Sequence, residues 1–121
     1  MSFRGFRGGA GGGGGGGGSS HLFNVTVIGY SDSPYTWTPS TDRNDLLSVD
    51  SSGGNVVIDL QSPSSTTGHV FRVKDKSGDS LANPITVRCL SGNIDNGTTA
   101  QIQNDFAAIT LISDGSVYGI Q

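Results

Sequence analysis

Beyond residue 21, apolar and polar residues alternate along the chain in short runs. In "LFNVTVI", Phe23, Val25 and Val27 fall on one face and Asn24 and Thr26 on the other. A period of two marks a strand, and this one reads as a first strand at a sheet edge. "SDSPYTWTPSTD" breaks the alternation with two prolines and reads as an extended connection in which Tyr35 and Trp37 are the groups worth burying. "DLLSVD" is a short strand and "SSGG" a turn. "NVVIDLQ" is a strand with Val56, Ile58 and Leu60 on one side. "HVFRVKD" places Phe71 and Val73 inward and Arg72 and Lys74 outward. "ITVRCL" does the same with Ile85, Val87 and Cys89 against Thr86 and Arg88.

The connections carry turn chemistry. "SPSSTTG" and "KSGDSLANP" are loops, and "SGNIDNG" holds an Asn-Gly pair, a strong turn signal. "TAQIQ" is a short strand bearing Ile102. "AITLIS", a "DG" turn and "SVYGIQ" form a closing hairpin. No segment has a helical apolar period. Eight or nine strands at a spacing of about 8–12 residues predict an all-β sandwich, barrel or prism of short antiparallel strands.

The first 20 residues, "MSFRGFRGGAGGGGGGGGSS", follow no such pattern. They hold 11 of the 20 glycines, and residues 11–18 are all glycine. The chain therefore divides into an arm, 1–20, and a body, 21–121. The body has 27 residues of the Leu, Ile, Val and Phe types, enough to fold but with a thin core, so partner subunits would add stability.

Composition sharpens the fold class. All ten acidic residues are Asp, and good helix formers are scarce. Charge is split: Arg4 and Arg7 stand in an arm without acids, while the body carries five basic and ten acidic residues. An acidic body is a poor surface for nucleic acid. The two Phe-Arg-Gly units resemble a very short arginine-glycine RNA-binding segment, but two arginines supply few phosphate contacts. A peptide anchor fits better. Phe3 and Phe6 would be the knobs, Arg4 and Arg7 would pair with carboxylates, and the octaglycine run would be the tether. As free coil it spans about 15 Å, and fully extended about 27 Å. No stretch is apolar enough for a membrane helix or a secretory signal.

Candidate chemistry is thin. His21 and His69 lack sequence neighbours that would make a triad or metal pair, and read as surface or structural histidines. Cys89, on an apolar strand face, reads as a buried thiol. Asp75 and Asp79 flank Gly78 in "KDKSGDS" but lack the closing acid of a calcium loop, so a turn is expected. No nucleophile, zinc or phosphate-loop motif is present. The expectation is no enzyme activity, no cofactor and no metal. Tyr35, Trp37 and Tyr118 are the aromatics that could stack on a sugar or receptor, with core anchoring as the alternative.

Three segments carry a family resemblance. In "YTWTPSTDRNDLLSVDSSGGNVVIDLQSP", Asp45, Leu47, Val49 and Asp50 fill one strand motif and Val56, Ile58 and Leu60 the next. "GHVFRVKDKSGDSLANPITV" is the most specific, through Gly68, Val73, Lys74, Asp75, Gly78, Asn83, Pro84, Ile85 and Thr86. "GNIDNG" and "LISDGSVYGIQ" supply a turn and a final hairpin. From about Tyr35 to Gln121 the chain resembles a family of small β domains of bacteriophage and other viral fibres, spikes and capsid-decoration proteins. Gln61-Ser62 before Pro63, and Tyr118 where Trp is common, depart from its pattern. The resemblance implies a homotrimeric, β-rich module at the tip or shaft of a virion appendage. It brings no catalytic residues. The arm adds the expectation of an anchoring partner, a capsid vertex, portal or tail protein of the same virion, and the aromatics that of a host surface glycan or receptor.

Overall fold

The alternation in the sequence becomes burial on one side of each strand. In the computed structural model, which describes residues 22–121, strand β3 (Asn44–Asp50) buries Asp45, Leu47 and Val49. Strand β4 (Val56–Leu60) buries Val56, Ile58 and Leu60. Strand β5 (Val70–Asp75) buries Phe71, Val73 and Asp75, and β6 (Ile85–Cys89) buries Ile85, Val87 and Cys89. The remaining strands are β1 (Phe23–Gly29), β2 (Tyr35–Thr36), β7 (Asn93–Ile94), β8 (Thr99–Ile102), β9 (Ala108–Ser113) and β10 (Val117–Ile120). The fold is all-β, as expected, with two sheets. The arm, with Phe3, Arg4, Phe6, Arg7, and also His21, lies outside the described residues.

Pairing departs from the expected antiparallel plan. One sheet has the order β1-β3-β5-β9-β10-β7 and the other β2-β4-β6-β8. The pairs β1–β3, β3–β5, β2–β4, β4–β6 and β7–β10 are parallel. Only β5–β9, β9–β10 and β6–β8 are antiparallel. The reason lies in the route of the chain. From β1 to β6 successive strands alternate between the sheets, so each strand's neighbour is the strand two places on. A parallel pair needs a crossover, and here a strand of the opposite sheet serves as that crossover. The result is a flattened coil, closed by antiparallel strands that include the expected hairpin β9–β10.

The two inner faces share one core. Leu47, Val49, Phe71, Val73, Leu111 and Tyr118 from the larger sheet meet Val56, Ile58, Leu60, Ile85, Val87 and Ile102 from the smaller. Trp37, just after β2, packs edge-on against Phe71 with ring centroids 4.6 Å apart, and Tyr118 meets Phe71 from another side at 5.9 Å. Such edge-to-face pairs add to the burial of the rings themselves.

The outer faces differ. On the smaller sheet they carry Asp59, Arg88, Thr86 and Gln101, joined by a bidentate Arg88–Asp59 pair at 2.8 and 3.0 Å and a Gln101–Thr86 bond at 2.9 Å. On the larger sheet, β1 turns its apolar side outward: Val25 and Val27 are 57% and 60% exposed. The register Asn24↔Asp45, Thr26↔Leu47 and Ile28↔Val49 puts the more polar side of β1 towards the interior. Asn24, itself exposed, is tied to the buried Asp45, to which its Nδ2 donates at 3.2 Å.

Candidate functional site

Two buried carboxylates organise the loops, and a polar cleft lies beside one of them. Asp45, at the start of β3, is 2% exposed. Its Oδ2 accepts from the Ser40 amide at 2.9 Å and lies 2.8 Å from His69 Nε2. Its Oδ1 lies 3.0 Å from the Ser40 hydroxyl and accepts from Asn24. Burying a carboxyl group is costly unless its oxygens find hydrogen-bond partners in this way. A carboxylate oxygen accepts, so His69 Nε2–H is the donor in this contact. His69 also packs against Phe71, ring centroids 4.6 Å apart.

Ser, His and Asp thus converge, but not as a nucleophilic relay. The Ser40 hydroxyl bonds the Arg43 carbonyl at 2.7 Å and Asp45, rather than the imidazole. A relay needs the hydroxyl on the histidine and the carboxylate behind it. Here both hydroxyl and histidine are spokes on the carboxylate, which makes it a structural clasp between β1, loop 37–43, β3 and β5. The expectation of a structural His69 therefore gains a partner, Asp45, 24 residues away.

The cleft, of about 280 Å³, opens between residues 40–44 and 67–69 and is lined by Thr41, Asp42, Arg43, Asn44 and His69 among others. Asn44 Oδ1 is taken by the Val70 amide at 3.1 Å, which leaves its amide nitrogen as a donor. Arg43 Nε is buried without a hydrogen-bond partner, 3.9 Å from Asp42 Oδ2. Gly68, at φ +82°, has open space where a Cβ would stand. The cleft therefore presents hydrogen-bond donors and acceptors on a shallow floor.

Asp75, the other carboxylate, closes the end of β5. Its Oδ1 accepts from Gly78 N at 3.0 Å, and its Oδ2 from Ser80 N at 3.2 Å and Phe106 N at 2.9 Å. Burial pushes its pKa up, but the amide of Phe106, then Ser80 and Gly78, outweigh this and hold it below the usual carboxylate range. Both oxygens are occupied by backbone donors, so the segment is a turn and not a cation loop. Among the described residues, no three His, Cys, Asp or Glu side chains are grouped to hold a metal. Likewise no helix among them is long and apolar enough to cross a membrane.

The aromatic candidates are corrected by burial. Trp37 is 2% exposed and Tyr118 fully buried, so neither ring offers a face to a sugar. The Tyr118 hydroxyl donates to the Gln61 carbonyl at 2.7 Å and lies 2.8 Å from Thr66 Oγ1. Burial raises its pKa. Tyr35 is half-buried against the same core. Cys89 is buried, as expected, and burial raises its thiol pKa. The side chains that do line a surface cleft, Arg43 and Asn44, carried no signal in the sequence.

No protein-family model matches the chain, and no curated protein matches it.

Proposed function

We propose that the chain is a structural subunit of a virus particle: a short trimeric fibre, spike or decoration protein fastened to capsid or tail by residues 1–20. The sequence resemblance over Tyr35–Gln121 motivates the reading. The observation that carries it is where the arm joins the body. Leu22 leads straight into β1, the edge strand of the larger sheet. Attachment there puts the root of the arm at the margin of the sheet, and eight glycines fully extended span about 27 Å. A threefold body could then sit on a site of different symmetry.

The test is incorporation. Deleting residues 1–20, or changing Phe3, Arg4, Phe6 and Arg7 together to Ala, should leave a folded body that no longer joins purified particles. Normal incorporation of either variant overturns the anchoring role.

A second reading, host-glycan contact, draws on the cleft at residues 40–44 and 67–69. Its donors and acceptors suit sugar hydroxyls, and Arg43 suits an acidic sugar. Binding on a glycan array that is lost in Arg43→Ala supports this reading. An array without signal ends it.

A further inference from the structure

We infer that Asn96 is a site of spontaneous chemical change, and that the change unfastens β7 from β10. The reaction is loss of ammonia through a ring closed by the Gly97 nitrogen. It needs no enzyme and no partner, and it is independent of the structural-subunit reading.

Asn96 is the one asparagine of the chain that precedes a glycine. Ile94 and Gly97 form an antiparallel bridge around a turn of two residues, Asp95 and Asn96. Ile94 N donates to Gly97 O at 2.8 Å, and Gly97 N to Ile94 O at 3.0 Å. Asn96 and Gly97 are both exposed. No hydrogen bond among the described residues holds the Asn96 carboxamide. Gly97 has nothing within 4 Å of the place a Cβ would take, so its nitrogen is uncrowded. Other asparagines are placed differently. Asn83 precedes Pro84, whose nitrogen carries no proton. The carboxamides of Asn24 and Asn44 are bonded, to Asp45 and to the Val70 amide.

The step balances without an oxidant or reductant. The Gly97 nitrogen gives its proton to base and bonds to Asn96 Cγ. The Cγ–Nδ2 bond breaks, and Nδ2 takes up a proton and leaves as ammonia. A succinimide ring now joins the two residues, and water opens it. Addition at Cγ breaks the new bond and leaves aspartate. Addition at the main-chain carbonyl carbon of residue 96 breaks the original peptide bond and leaves isoaspartate, with the chain running through Cβ and Cγ.

In the closed turn the Gly97 N–H is held by Ile94 O, so attack follows opening of the turn. That opening is local. β7 has two residues and is the last strand of the larger sheet, and short edge elements open at little cost. The fastening of β7 lies next to the reacting pair. Asp95 N donates to Tyr118 O at 2.8 Å, and Asp95 Oδ1 accepts from Ile120 N at 3.3 Å. Isoaspartate adds a main-chain atom to the turn. The turn can then no longer close both Ile94–Gly97 bonds, and Asp95 loses its fixed position against β10.

The experiment is incubation of the full chain in mildly alkaline buffer, then tryptic digestion and mass spectrometry of the peptide Cys89–Gln121. The expected result is a gain of about 1 Da at Asn96, an amide having become an acid, in two separable isomers with isoaspartate the larger. Gly97 does not have a positive φ and has open space beside it, so alanine fits there. Gly97→Ala should keep the parent's urea midpoint and slow the gain about tenfold. Asn96 left intact in the folded chain, while the chain unfolded in urea converts, overturns the inference. So does Gly97→Ala converting as fast as the parent, or a product without isoaspartate. Hydrogen exchange tests the unfastening. The Asp95 and Ile120 amides should exchange faster in the isoaspartate form than in Asn96→Asp, which carries the charge without the added atom. Equal exchange in the two overturns that part.

Discussion

Asp45 Oδ2 lies 2.8 Å from His69 Nε2, and this contact joins the start of β3 to the entry of β5. The carboxylate also holds Ser40 and Asn24, so the two partners are not equal. Asp45→Ala strands several part-buried donors and should cost about 2–4 kcal/mol. His69→Ala leaves the carboxylate its other donors and should cost about 1–2 kcal/mol. Urea unfolding followed by Trp37 fluorescence gives both values. Equal losses would show that the carboxylate is not the organising member.

Asp75 sets an acid limit. Folding lowers its pKa, so near that pKa the unfolded state binds more protons than the folded state. Its contribution is complete above the usual carboxylate value of about 4 and is lost as pH falls through the lower folded value. Asp75→Asn should lower stability at pH 7 and flatten its decline between about pH 5 and 2. Thermal unfolding at stepped pH reads the slope. A variant as acid-sensitive as the parent would assign the decline to other carboxylates.

Gly78 and Phe106 are matched. Gly78 has φ +80°, and a Cβ there would run into the Phe106 ring. Gly78→Ala should cost about 2–3 kcal/mol, from backbone strain and from the displaced ring. In a Phe106→Ala background the ring is gone, and the same change should cost only the backbone part, about 1 kcal/mol. A double-mutant cycle measures the difference. Additive losses would mean that the ring swings aside without cost.

Tyr118→Phe removes one hydroxyl from the core. It leaves the Gln61 carbonyl and Thr66 hydroxyl without that partner. The expected loss is about 1–2 kcal/mol with the fold unchanged. A neutral substitution, read from the denaturation midpoint, would show that those groups find other partners.

The strands were legible because their period is local. β4, β5 and β6 each bury the residues that their alternation assigns inward, and Asp114-Gly115 announces the β9–β10 hairpin. Gly115 has φ +96°, and Asp114 Oδ1 accepts from the Ser116 and Val117 amides. Strand direction was not legible. Alternation suits a parallel and an antiparallel neighbour equally, and the partners of β3, β1 and β5, each lie beyond another strand. The outward turn of β1 was hidden for the same reason, since it follows from the register of β1 with β3. Trp37 and Tyr118 show a related limit: an aromatic side chain suits a sugar platform and a core anchor alike, and only packing decides. The Asp45–His69 clasp joins residues that become neighbours only once the sheet order is fixed.

The alternation of strands between sheets also governs how the molecule can be made. Phe23 pairs with Asn44, Asp45 with Phe71, and Val56 with Ile85. Each partner is separated by an entire strand that belongs elsewhere. No early parallel pair can form as a hairpin, so every turn of the coil closes a loop of about 20–30 residues before it gains contacts. Assembly should therefore be slow, on the millisecond-to-second scale of chains dominated by non-local pairing. It also suits emergence from a ribosome. β1 waits for β3, β3 for β5, and the strands that seal the coil arrive last.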